Sequence, residues 1–314
     1  MVGRKVGIVG AGFVGATAAY SLTMTGACHE VILYDINTDV AKGKAIDIGQ
    51  STSYAPKGTI VTAAETAADL KDCDIVVITA GVPRRSEMTR ADLLLINAKI
   101  IKDVVGNILK YSPNAIILCV SNPLDIMTQV VHKITGWERS RIIGMAGALD
   151  GARMAYQINQ TVGYGSGQTR AMLIGDHGSH MIPMPEISAV GGVPLDQIVT
   201  KEEMEGIISR TQDGGAEIVK HLGTSAYYAP GRAISVMVEA LLDDSRIVMP
   251  SSVMLDGEYG YKDICVGVPV VLGTKGVHEI IELNLDEETK AKFKISVDSI
   301  QEGIDILTDN GFFN

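Results

Sequence analysis

The first half of the chain alternates short apolar runs with stretches of helical spacing. Lys5–Val9 reads as a strand, Phe13–Thr25 as a helix and Val31–Tyr34 as a second strand. A second helix is expected from about Asp39 to Gln50, and a third strand over Thr59–Thr62. DIVVIT (Asp74–Thr79) and AIILCV (Ala115–Val120) have unbroken apolar centres, as strands covered on both faces do. Between them Leu93, Ile96, Ile100, Val104 and Ile108 recur at spacings of three and four, which predicts a long amphipathic helix buried along that stripe. Strand and helix in strict alternation imply a parallel sheet with right-handed crossovers.

After about Met145 the pattern changes. Helical stretches (Leu149–Val162, Lys201–His221, Ala226–Leu242) mix with strands (Thr169–Ile174, Arg246–Leu255, Ile264–Leu272). The fold class expected is α/β: a parallel, doubly wound domain over 1–145 and an α+β domain over 146–314, packed tightly because no Pro/Ser-rich linker separates them. In the last helix Phe293, Val297, Ile300, Ile304 and Leu307 step along one face, and Asn284 with Glu287 resembles a capping box at its start. No internal repeat or low-complexity segment occurs.

Composition narrows the function classes. A chain of 314 residues can bury two modest cores. Its formal net charge is −10 and no basic stripe stands out, which argues against a nucleic-acid partner. No apolar run approaches the ~18–20 residues that cross a bilayer, so no membrane partner is expected. Cys28, Cys73, Cys119 and Cys265 are scattered without CxxC spacing and read as reduced thiols. MVGRKVGIVGAGF reads as strand and turn rather than a signal peptide. A cytoplasmic protein is the expectation.

GAGFVG at 10–15 follows the first strand and opens the first helix, the context a phosphate-binding turn requires. Gly10 permits the tight turn, Gly12 lets a pyrophosphate approach the backbone, and Gly15 lets helix and strand pack closely. The helix N-terminus offers free N–H groups and positive partial charge. Asp35 ends the second strand, twenty residues after Gly15. A carboxylate there accepts from a ribose diol and repels a 2′-phosphate, which favours NAD over NADP.

GDHG at 175–178 places His177 just after the strand Thr169–Ile174, and an imidazole titrating near neutrality suits reversible proton transfer to an alcohol. Taken alone, a strand-terminal surface histidine is the commoner case, and His180 is a near rival. In LDGAR, Asp150 and Arg153 lie three apart at the start of a predicted helix. The carboxylate can hold an imidazole tautomer and the guanidinium can fork a substrate carboxylate; a surface ion pair is the plainer reading. Asn122 in VSNPLD can orient a substrate or cofactor oxygen, or merely form a turn before Pro123. GVPRRSEMTR at 81–90 concentrates Arg84, Arg85 and Arg90 in an acidic chain, either as a solvated loop or as a clamp for a small dianion.

Taken in order, GAGFVG, Asp35, AGVPRRSEMTR, SNPLD, LDGAR and GDHG resemble the lactate/malate dehydrogenase family along nearly the whole chain, most closely its lactate-dehydrogenase-like malate group. IIGMAGALD at 142–150 and VGVPVVLG at 266–273 strengthen the resemblance. It implies a Rossmann domain, an α/β catalytic domain, NAD and (S)-2-hydroxy acid chemistry without a metal. By matching motif, His177 is the proton acceptor or donor and Asp150 its partner. Arg153 would bind the carboxylate next to the reacting carbon, Arg90 would polarise the carbonyl from a closing loop, and Asn122 would hydrogen-bond substrate. Cofactor contacts are implied for Gly10, Gly12, Phe13, Val14, Gly15, Asp35, Asn97 and Asn122. Arg84 matches the position that sorts substrates, Arg in the malate enzymes and a neutral residue in the lactate enzymes.

The expected substrate is therefore the dicarboxylate pair malate/oxaloacetate, with lactate/pyruvate the alternative and a non-catalytic NADH sensor a remoter one. Leaving Arg84 unpaired in a closed site would cost roughly 3–5 kcal/mol, which favours the diacid. The resemblance also implies a homo-oligomer, a tetramer before a dimer, and a place in the tricarboxylic acid cycle. Arg85 has no assigned role and reads as a solvated charge. Departures from the family pattern include Ser86-Glu87 where Pro-Gly is usual, Gly151 within LDGAR, Ser179-His180 after the catalytic motif, and Gly231-Arg232 near the expected substrate wall.

Overall fold

The computed structural model describes residues 4–55, 57–83 and 88–313. The chain runs β1 (Lys5–Val9), α1 (Phe13–Thr25), β2 (Glu30–Tyr34), α2 (Thr38–Ser51), β3 (Ile60–Ala63), β4 (Ile75–Ile78), α3 (Arg90–Tyr111), β5 (Ile116–Cys119), α4 (Leu124–Thr135) and β6 (Ile142–Gly144). These six strands are parallel, in the order β3-β2-β1-β4-β5-β6. This is the doubly wound arrangement in which strand order reverses beside β1 and a crevice opens at the carboxyl ends. Ile75–Ile78 and Ile116–Cys119 are buried at every position, as unbroken apolar strands covered by helices should be.

The second half begins with α5 (Ala146–Val162), so the expected boundary at 145/146 falls between β6 and this helix. Four short strands follow: β7 (Thr169–Arg170), β8 (Leu173–Ile174), β9 (Ile182–Pro183) and β10 (Ala189–Val190). Then come β11 (Val193–Pro194), α6 (Lys201–Leu222), α7 (Tyr228–Asp243), β12 (Ile247–Asp256), β13 (Lys262–Gly273), β14 (Gly276–Ile280) and α8 (Glu287–Asp309). β12, β13 and β14 are antiparallel, and β12 joins β6 through the pair Ser252–Gly144. One nine-stranded sheet therefore crosses both halves.

Four sequence expectations need correction. The single strand foreseen over Thr169–Ile174 is two: β7 pairs with β10, while β8 pairs with β9 in a separate sheet. The final helix is capped not by Asn284 but by Asp286, whose side chain accepts from the Thr289 N–H at 2.7 Å. Asp150 and Arg153 sit one turn inside α5 rather than at its start, because α5 begins at Ala146.

The stripe on α3 is displaced by one residue. Leu94, Asn97, Ala98, Ile101, Val105 and Ile108 are the buried positions, so Ile108 alone of the expected stripe stands in the core. The expected residues Leu93, Ile96, Ile100 and Val104 are only half-buried, and Ile100 and Val104 face a cleft instead. Two adjacent apolar stripes run along this helix, and periodicity alone does not say which meets the core and which meets a ligand.

Candidate active site

The turn after β1 is built by close approach. Gly10 has φ +103°, and a β-carbon on it would lie 2.7 Å from the Thr79 hydroxyl oxygen. A β-carbon on Gly15 would fall 1.9 Å from the Gly10 carbonyl oxygen, whereas one on Gly12 would meet nothing within 4 Å. Gly12 therefore borders open space at the start of α1. That helix has no side-chain cap and no acidic residue in its first turn, so its first N–H groups, from Phe13 onwards, are unopposed donors for an anion.

Asp35 closes the turn from the end of β2. Its Oδ2 accepts from the Ala11 N–H at 2.7 Å and its Oδ1 from the Asn37 N–H at 2.9 Å. Gly10, Gly12, Asp35, Ile36, Ile100 and Val104 line a cleft of about 380 Å³. Its apolar walls suit a flat ring, with a carboxylate beside them for a diol. A glycine cradle, bare helix N-terminus, apolar slot and Asp35 together fit a dinucleotide. A larger cleft of about 530 Å³ lies where Arg4, Asp74 and Ser112 border the amino ends of the strands. Ligands of open α/β sheets bind at the carboxyl ends, which selects the smaller cleft.

Asn97 stands behind this wall. Its amide donates to the oxygens of Val82 and Asn122, at 3.2 and 2.8 Å, and accepts from the Val82 N–H at 2.9 Å. It is buried and its hydrogen-bonding capacity is spent on backbone. It thus braces the loop over the cleft and the exposed Asn122, rather than reaching into the cleft.

At the carboxyl end of β8 the main chain of Gly175 exchanges hydrogen bonds with Gly267 of β13, at 2.9 and 3.0 Å. This bridge fixes the turn that carries His177. Its Nδ1 lies 2.7 Å from Asp150 Oδ2, while Asp150 Oδ1 accepts from Arg153 Nη1 at 3.1 Å. Asp150 is buried at 2% exposure. Burial on its own would lower the imidazole pKa, but the charge and hydrogen bond of Asp150, aided by Asp125, outweigh it and leave His177 above its ordinary value. With Nδ1 engaged, Nε2 is left for a substrate oxygen.

Arg153 is largely enclosed, and its buried Nε has no hydrogen-bond partner among the described residues. A buried guanidinium with a spare donor calls for a planar anion.

Other expected residues fall as follows. His180 pairs with Asp176, at 3.2 Å between Nδ1 and Oδ2, and is more exposed than His177, at 39% against 12% of the side chain. Arg232 is spent on its own helix, with Glu239 at 2.7 Å and Ser235 at 3.1 Å. Arg90 is the first residue of α3, exposed, next to a Thr89–Asp92 capping box. Arg84, Arg85, Ser86 and Glu87 lie outside the described residues. No group of three or more His, Cys, Asp or Glu side chains suited to a metal occurs among the described residues.

The sequence reading passed over Asp125, the last residue of the quoted SNPLD motif. It is buried, and its Oδ2 accepts the His177 main-chain N–H at 2.8 Å.

Residues 4–144 match the NAD binding domain of lactate/malate dehydrogenase, and residues 147–310 match its alpha/beta C-terminal domain. The malate dehydrogenase of Sulfurimonas denitrificans is 54% identical over 313 residues, covering 99% of this chain and 98% of that one. Among solved structures, malate dehydrogenase from Salinibacter ruber superposes with a TM-score of 0.93 at 38% identity, over 98% of this chain and 100% of that one. Lactate dehydrogenase from Eimeria maxima, solved with NADH and oxamate, gives 0.92 at 34% identity, over 98% of this chain and 97% of that one. The chain belongs to the lactate/malate dehydrogenase family, with that family's NAD-binding domain at its amino-terminal end.

Proposed function

We propose that the chain is an NAD-dependent malate dehydrogenase that interconverts (S)-malate and oxaloacetate. The observation that carries this reading is the array Arg153–Asp150–His177. A largely enclosed guanidinium whose buried Nε has no partner among the described residues shares one carboxylate with a histidine whose second ring nitrogen meets no hydrogen-bond partner among them. Bound NAD supplies the hydride acceptor.

His177 takes the hydroxyl proton of malate at Nε2, and Asp150 holds the ring and favours the cation that forms. In the reverse direction the imidazolium returns that proton to the nascent alkoxide. Arg153 orients the carboxylate beside the reacting carbon, Asn122 holds a substrate oxygen, and Arg90 polarises the carbonyl. Phe13, Val14 and Gly12 contact the pyrophosphate in the turn that Gly10 and Gly15 shape, and Asp35 contacts the ribose.

The choice of a diacid rests on Arg84 in the sequence and on relatives named malate dehydrogenase. We also assign the chain to the cytoplasm and the tricarboxylic acid cycle. Four buried, unpaired cysteines suit a reducing compartment. Exposed Tyr20, Ile46 and Tyr54 on and beside α1 and α2 suit a homo-oligomer, a tetramer in our reading. NADH consumption with oxaloacetate against pyruvate tests the assignment. A strong preference for oxaloacetate supports it; a preference for pyruvate transfers the reading to lactate.

A further inference from the structure

We propose that Asp125 is a positioning residue for His177, a second carboxylate that fixes the histidine's main chain and sets a negative charge close to it. The proposal rests on the acid/base reading of His177 given above.

Asp125 stands in the first turn of α4, in the NAD-binding half, and His177 in the other. Its Oδ2 receives the His177 N–H at 2.8 Å. Its Oδ1 is buried without a hydrogen-bond partner among the described residues, as are the hydroxyls of Ser251 and Ser252 on β12. Ser252 lies near enough to favour the charged carboxylate.

An enclosed carboxylate with an idle oxygen is an expensive group. Accepting one N–H does not require it, since an asparagine oxygen would serve. What the neutral amide lacks is charge. The groups facing Asp125 are His177 and Asp176 in the turn, Cys119 on β5 and Cys265 on β13. Both thiols are held neutral by burial. His177 in turn faces Asp150 and Arg153 of α5. The imidazole thus stands among two carboxylates and one guanidinium. Asp125 favours the imidazolium and Arg153 opposes it, so Asp125 offsets the cation that the substrate requires nearby.

Burial pushes the Asp125 carboxyl up to about 6. It is therefore ionised at neutral and alkaline pH, where oxaloacetate reduction depends on retaining the imidazolium. Asp125 exchanges no proton with substrate.

The test compares full-length wild type, Asp125→Asn and Asp125→Ala by NADH binding and by pH profiles of kcat/KM in both directions. Asp125→Asn keeps the acceptor and loses the charge. Its alkaline limb for oxaloacetate reduction should move down by about one pH unit, a loss of about tenfold on that limb, with NADH affinity retained. Asp125→Ala should show the same shift and a further loss of kcat. A wild-type profile in Asp125→Asn overturns the proposal while leaving the acid/base reading intact. Wild-type enzyme that binds NADH and turns over neither oxaloacetate nor malate overturns the acid/base reading itself. Should neither variant fold, the His177 ring resonance of wild type decides: a second, smaller inflection near pH 6 supports the proposal, and a single clean titration overturns it.

Discussion

The carbonyl oxygen of Gly10 fills the space where a side chain on Gly15 would begin, 1.9 Å from the position of a β-carbon. The turn and the first turn of α1 are in contact, with no atom between them to yield. Gly15→Ala should therefore lower stability by about 1–3 kcal/mol, read as a drop in thermal midpoint. Gly12→Ala meets nothing within 4 Å and should leave the midpoint unchanged while weakening NADH binding about tenfold, ~1.4 kcal/mol. Equal effects of the two substitutions on stability would contradict the division between packing and ligand access.

His177→Asn removes the titrating ring at the end of β8. Turnover should fall about 10²–10⁴-fold with little change in NADH affinity, measured by steady-state rates beside a fluorescence titration. Because Asp150 and Asp125 hold the imidazole above its usual range despite burial, malate oxidation, which needs the neutral ring, should fade on the acid side first. Near-normal turnover in the variant would pass the role to His180.

Arg84→Gln tests substrate sorting. If Arg84 meets the second carboxylate, its loss should cut kcat/KM for oxaloacetate by about two to four orders of magnitude, from ~3–5 kcal/mol. Activity with pyruvate should change far less. A parallel decline with both substrates would remove the charge-matching argument.

Arg139 grips Glu258 through both terminal guanidinium nitrogens, at 2.8 and 3.0 Å, and this contact holds the carboxyl down at about 2. A depressed carboxyl contributes stability above its unfolded value near 4.5 and loses it as pH falls toward 2. Wild type should lose thermal stability across that window more steeply than Arg139→Gln, with the two curves parallel above pH 6. A constant gap down to pH 2 would show that the pair adds nothing beyond packing.

Much of the fold was legible because its signals are local. GAGFVG carries turn, helix start and close packing within six residues, and DIVVIT and AIILCV announce two-sided burial. Two of the misreadings share a cause, since each depended on distant partners. The stretch Thr169–Ile174 divides because β10 and β9 claim its two ends. The stripe on α3 slipped because its neighbouring stripe serves the cleft. Asp286 rather than Asn284 caps α8 because the chain enters the helix two residues later than the spacing suggested.

The site was partly readable for the same reason. His177, Asp150 and Arg153 sit in short motifs, and the structure brings the first and last together on the Asp150 carboxylate. Asp125 was not singled out, because its partner is a backbone N–H that no motif displays. The sequence does not reveal that Asn97 is occupied by backbone, since that depends on where residues 82 and 122 lie.

The ladder runs without interruption from β3 to β14. Neither half can melt while the other keeps its interior edge satisfied: losing β12 strips β6 of its neighbour, and losing β6 does the same to β12. Heat should then dismantle cofactor grip and proton relay in one cooperative event. Protection of amide hydrogens at Cys119 and at Val266 should vanish together rather than in sequence.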